Sequence, residues 1–124
     1  MALTVRVTND RSFSRTVYLA GRLDNETAAL LDEEVHLLTD AAVKVVVFDL
    51  ADLEYISSAG LRSIFRVQKT MSERSGKVVM VNTRPQVQKV FDIVKAADLG
   101  TVFASVQELD QYLDAMQRKV VEGS

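Results

Sequence analysis

Apolar and polar residues alternate at the start of the chain. In LTVRVTN (3–9), Leu3, Val5 and Val7 fall on one side at period two, the spacing of a half-buried strand. A turn-like NDRS follows, and SRTVYLA (14–20) predicts a second strand, the hairpin partner of the first, closed by Gly21. The period then changes to that of a helix in GRLDNETAALLDEEVHLLTD, where Asp24 or Asn25 can cap a helix with Leu31, Val35 and Leu38 on one stripe. KVVVFDL (44–50) is apolar without alternation at Val45, Val46, Val47 and Phe48, the pattern of an internal strand. It is read here as the central strand, followed by a short acidic loop.

From Ser58 onward the helical period returns. Leu61, Ile64, Phe65, Val67 and Met71 point to one side, while Arg62, Arg66, Lys69 and Glu73 line the other, giving this helix a basic outer face. Ser75-Gly76 ends it, and KVVMV (77–81) predicts a further strand. Pro85 suits the first turn of a helix carrying Val87, Val90, Phe91 and Val94. A last short strand is expected at 101–104, and Ser105 with Glu108 forms a capping box ahead of Leu109, Leu113 and Met116. The order β-β-α-β-α-β-α-β-α with short connections predicts an α/β fold: a mixed four- to five-stranded sheet with an N-terminal antiparallel hairpin, packed with about four helices. One domain over 1–124 is expected, with its core at about 3–117 and the tail at about 118–124 frayed.

Composition narrows the function classes. With 124 residues the chain can bury roughly two thirds of its unfolded surface, and 48% hydrophobic and 26% charged residues are ordinary for a globular domain. No apolar run approaches the roughly 20 residues of a membrane span, and MALTVRVTND lacks a secretory signal, so a cytoplasmic location without membrane insertion is expected. Zero cysteines exclude disulfides, thiolate metal sites and a cysteine nucleophile. A net charge of -2 offers no broad cationic footprint for direct nucleic-acid binding.

The chemistry concentrates in EYISSAGLRSIF, where Ser57 and Ser58 precede a helix. A nucleophilic serine needs a base; the single histidine, His36, lies mid-helix among acidic residues, and the G-x-S-x-G elbow is absent. The helix N-terminus could bind an anion, but no glycine-rich phosphate loop with its lysine accompanies it, and no cofactor or metal is assigned. Asp49 and Asp52 lack the surrounding constellation of a phosphoaspartate or metal site and are read as loop and turn residues. Two readings stay open for the serines: a helix cap alone, worth roughly 1 kcal/mol, or a cap combined with an interaction site. One serine suffices for a cap, and Ala59 and Gly60, with almost no side chain, leave a bare entrance that a partner could approach; the residues alone weigh the two readings equally.

GRLD (21–24), the D-L-x-x-L-x-x-I-S-S-A-G-L-R segment from Asp49 to Arg62 and the N-x-R-P-x-V-x-K-V-F-D-I stretch from Asn82 to Ile93 together resemble the anti-sigma factor antagonist branch of the STAS domains. The resemblance covers about residues 3–115 and is most specific between Asp49 and Leu61. It implies a non-enzymatic module that binds an anti-sigma factor with serine kinase activity, frees the sigma factor, is switched off by phosphorylation, and is reset by a metal-dependent serine phosphatase. By position the family's D-S-[ST]-G-L pattern falls on Ser57 to Leu61, so Ser58 takes the phosphoacceptor place, with Ser57 as the alternative, standing where relatives carry aspartate. Asp24 matches the aspartate of the family's G-x-L-D turn near the acceptor and could equally cap the first helix. Asp24, Ser57, Ser58, Ala59, Gly60, Arg62, Arg66 and Lys69 are the partner-binding candidates. Two alternatives remain: a subunit of a lipid-transport ABC complex or sensing assembly, and, more remotely, a serine hydrolase.

Overall fold

The computed structural model describes residues 3–36, 42–96 and 105–123. Four strands, β1 (Thr4–Arg11), β2 (Ser14–Leu23), β3 (Val45–Ile56) and β4 (Lys77–Val81), form one sheet in the order β1-β2-β3-β4. β1 and β2 are antiparallel, whereas β2-β3 and β3-β4 are parallel. Among the described residues, four helices accompany them: α1 (Ala28–His36), α2 (Ser58–Glu73), α3 (Pro85–Ala96) and α4 (Val106–Glu122). The predicted mixed α/β sheet with its opening hairpin is thus present, and the strand expected at 101–104 lies outside the described residues.

Register explains the buried face. Val7, Val17, Phe48 and Met80 are paired in one row across all four strands, and Val5 pairs with Leu19 beside them. These side chains join Leu31 of α1, Leu61, Ile64 and Val67 of α2, Val87 and Val90 of α3 and Leu113 of α4 in a single core. The neighbouring row, Arg6, Tyr18, Asp49 and Val81, has the opposite orientation and is half-buried or exposed. Arg6 lies over the Tyr18 ring there, 4.1 Å from its centroid.

Four boundaries differ from the sequence expectation. β1 runs through the NDR stretch to Arg11, so the turn moves to Ser12 and Phe13; Asp10 accepts hydrogen bonds from the Thr8 and Thr16 hydroxyls across this hairpin. β2 does not stop at Gly21. Gly21 takes a φ of 103°, open to glycine at little cost, and the strand passes through a register shift to Leu23. β3 extends over the stretch read as an acidic loop, because Asp52, Leu53, Tyr55 and Ile56 pair with β2. Finally, α4 continues past Arg118 to Glu122, where the expectation was a frayed tail, and the Gly123 N–H closes it on the Lys119 carbonyl at 2.8 Å.

Candidate functional site

The parallel strands β2 and β3 end side by side at Leu23 and Ile56, and α2 leaves from that edge. Ser57 turns the chain: its N–H donates to the Leu23 carbonyl at 2.9 Å, its backbone is extended (φ -100°, ψ 177°), and its hydroxyl accepts from the Gly60 N–H at 3.3 Å. Its carbonyl accepts the Leu61 N–H at 2.9 Å. Ser57 is therefore the N-cap, satisfying donors that the first helical turn leaves without intrahelical partners. Ser58, one residue later, is left without that role. Its Oγ is buried and, among the described residues, is the buried side-chain polar atom with no hydrogen-bond partner.

Two side chains of α4, neither of which the sequence reading singled out, close over this turn. Asp110 Oδ1 accepts the Ser58 N–H at 2.9 Å. Gln117 grips the peptide of Ile56 on both sides, accepting its N–H at 3.0 Å and donating to its carbonyl at 2.7 Å, with a further bond to the Leu113 carbonyl at 3.2 Å. Asp110, Leu113 and Gln117 lie three and four residues apart, so they share one helix face. That spacing, which puts two polar residues on either side of an apolar one, is the signal the sequence offered; their partners, 52 and 61 residues away, were not in it.

The entrance expected to be bare is covered. Ser57 and Ser58 are 4% and 6% exposed, Gly60 is buried and Ala59 half-buried. Leu23 fills the space that Gly60 leaves: a Cβ there would stand 2.7 Å from Leu23 Cγ and 2.9 Å from its carbonyl oxygen. Asp24 follows Leu23 directly and has a local role, its Oδ1 accepting the N–H groups of Glu26 and Thr27 at 3.0 and 3.1 Å before α1 begins. Arg22, 3.9 Å from the Asp24 carboxylate, stacks over the Tyr55 ring at 3.9 Å from its centroid. Burial, helped by the nearby Asp114 carboxylate, pushes the Tyr55 phenol above its usual pKa, against the opposing pull of Arg22.

On the basic face of α2, Arg62, Arg66 and Lys69 are all exposed, and Arg66 also donates to Asp32 of α1 at 2.8 Å and to the Ser63 hydroxyl at 3.1 Å. Asp49 and Asp52 sit on β3, away from the loop assigned to them. Asp49 accepts from the Ala51 N–H and the Asn82 amide, and Asp52 lies 3.9 Å from Arg84. Ser58 Oγ has no base hydrogen-bonded to it, which a serine nucleophile would use.

A family model described as the STAS domain matches residues 4–109. The chain belongs to the STAS domain family. A Bordetella bronchiseptica protein named "Putative anti-sigma factor antagonist BtrV" is 37% identical over 75 residues, which span 60% of this chain and 65%, less than two thirds, of that relative. The solved structure of the anti-sigma factor antagonist SpoIIAA in its unphosphorylated form superposes with a TM-score of 0.68 at 17% identity, covering 74% of this STAS chain and 81% of SpoIIAA. The Bacillus cell fate determinant SpoIIAA in its phosphorylated form gives 0.64 at 16% identity, covering 73% and 83%. At these identities the two structures establish the fold alone. No helix among the described residues of this STAS domain is long and apolar enough to cross a membrane.

Proposed function

We propose that this STAS domain is an anti-sigma factor antagonist of the cytoplasm. Unmodified, it binds an anti-sigma factor with serine kinase activity; phosphorylated on Ser58, it lets go. The observation that carries this reading is the Ser58 hydroxyl. Ser57 already caps the helix, so Ser58 Oγ is a buried polar atom with no structural partner, which ordinarily costs about 1–3 kcal/mol. A group retained at such a cost, at the position the family uses as acceptor, has its use in another state of the protein. The name of the Bordetella relative and the two forms in which SpoIIAA was solved agree with this role.

In the transfer, Ser58 Oγ attacks the γ-phosphorus of ATP. Its proton passes to a base of the kinase, a new P–O bond forms and ADP leaves. The product carries about -1.5 to -2 charge at a helix N-terminus, whose dipole tolerates an anion, so the fold survives. Burying that dianion in an interface with no cationic partner costs several kcal/mol, enough to weaken binding a hundredfold or more. A metal-dependent serine phosphatase restores the hydroxyl. Asp24, Ser57, Ala59, Gly60, Arg62 and Lys69 surround or flank the docking surface, and Arg66 contributes through its hold on α1.

The test is incubation with the cognate kinase and ATP, followed by mass-spectrometric mapping. Modification at Ser58, and its loss in Ser58→Ala, is the expected result. Phosphate at Ser57 alone moves the switch by one residue, and no phosphate at either serine removes the proposal.

A further inference from the structure

We infer that α4 is a latch on the acceptor: while Asp110 and Gln117 hold the Ile56–Ser58 turn, Ser58 Oγ is enclosed and out of reach of a kinase, and α4 must lift before transfer. The inference rests on the assignment of Ser58 as phosphoacceptor. Three observations carry it. The hydroxyl is buried, yet in-line transfer requires the γ-phosphorus to come within about 3–3.5 Å of the attacking oxygen. The backbone of residues 56 and 58 is held by side chains of one helix, with hydrogen bonds at 2.9, 3.0 and 2.7 Å. Among the described side chains of α4, Leu113 and Gln117 are buried while Leu109, Met116 and Val120 are half-buried, so its apolar seat is small. A helix seated on so few apolar groups opens at a lower free energy than the whole domain unfolds.

The same geometry makes latching and phosphorylation exclusive. Asp110 places its carboxylate on the first N–H of α2, the place an anion takes at a helix N-terminus. A phosphate on Ser58 draws on the same dipole and stands beside a like charge. Phosphorylation therefore traps α4 in the lifted position, and the Asp110 carboxylate acts in the unmodified protein as the internal occupant of the phosphate's site.

The absence of cysteine from the chain allows a test that needs no kinase. In Ser58→Cys the only thiol of the protein replaces the enclosed hydroxyl, and its alkylation by iodoacetamide reports how often α4 lifts. The expected rate is at least about a hundredfold below that of the same chain unfolded in urea. Adding Asp110→Ala or Gln117→Met raises it about tenfold or more. Val7→Ala, a core change on β1 remote from α4, leaves it unchanged while the protein remains folded. A thiol that reacts in the folded Ser58→Cys variant within about threefold of the unfolded rate overturns the latch, as does a protected thiol that neither α4 substitution releases. If Gln117→Met proves too unstable to fold, Asp110→Ala decides alone. The kinase arm is separate: wild-type protein and Asp110→Ala are incubated with the kinase, and faster phosphate uptake by the variant is expected. A thiol that is protected and then released, without phosphate at Ser58 in either protein, sinks the phosphoacceptor reading and with it the latch's role in transfer, leaving the gate itself measured. Phosphate at Ser58, together with a thiol in Ser58→Cys that is open from the start, sinks only the latch.

Discussion

Gly60→Ala sets two opposing effects against each other at the centre of the site. In an ordinary helix interior the change stabilises by roughly 0.5–1 kcal/mol, because glycine surrenders more backbone freedom on folding. Here the new Cβ would stand 2.7 Å from Leu23 Cγ, 2.9 Å from the Leu23 carbonyl oxygen and 3.0 Å from Ile56 Cγ1. Leu23 and Ile56 are fully buried and paired with each other in the sheet, so neither can move away without shifting backbone. Overpacking of this kind costs about 1–3 kcal/mol. The steric term wins, and the expected outcome is a net loss of about 0.5–2 kcal/mol in urea unfolding. Thr70→Ala, at an exposed position of the same helix, reads propensity alone and should stabilise by a few tenths of a kcal/mol. If Gly60→Ala matches or exceeds that gain, Leu23 does not press on the mouth of α2 as described.

The two serines should part company in stability: Ser57→Ala loses the cap and about 1 kcal/mol, whereas Ser58→Ala, which removes an unpartnered buried hydroxyl, should be neutral or stabilising in the same unfolding assay. Gln117→Met keeps the volume but leaves the Ile56 N–H and carbonyl without these partners, for an expected loss of about 2–4 kcal/mol; a loss under about 0.5 kcal/mol would mean that α4 is not seated there. Tyr55, identified by comparison with Tyr55→Phe, should ionise later than an ordinary tyrosine in an ultraviolet titration. Its folded pKa is raised, so the stability it contributes is complete below the unfolded value near 10 and falls as pH rises toward the folded one; ionisation at or below the ordinary pKa would refute the burial argument.

Elements whose signals were local were legible in the sequence. The stripe of Leu61, Ile64, Val67 and Met71 behind a serine cap, Pro85 at the first turn of α3, and Ser105 accepting the Glu108 N–H at 3.1 Å all appear where spacing and capping chemistry put them. The second half of β3 was not legible. LADLEYI carries acidic residues that favour a loop, and its strand character comes from pairing with a β2 that continues past Gly21. In the site, Asp24, Ser57, Ser58 and Gly60 were visible as a motif, while its cover was not. Asp110 and Gln117 reach residues more than 50 positions away, and no local propensity reports such a contact. Burial of the serine pair was equally out of sight, as was the ion pair of Arg66 with Asp32 of α1, 34 residues away.

The separation between the turn and its cover also has a meaning in time. Chains are made from the N-terminus at about 5–20 residues per second, and Asp110 follows Ser58 by 52 residues. For roughly 3–10 s of each round of synthesis, then, the nascent chain contains the serine but not the carboxylate that will sit beside it. Contacts spanning such distances also carry the largest loop-closure entropy and tend to form late in folding. Newborn molecules thus pass through a stage in which the Ser57–Ser58 turn is present without its bond to Asp110.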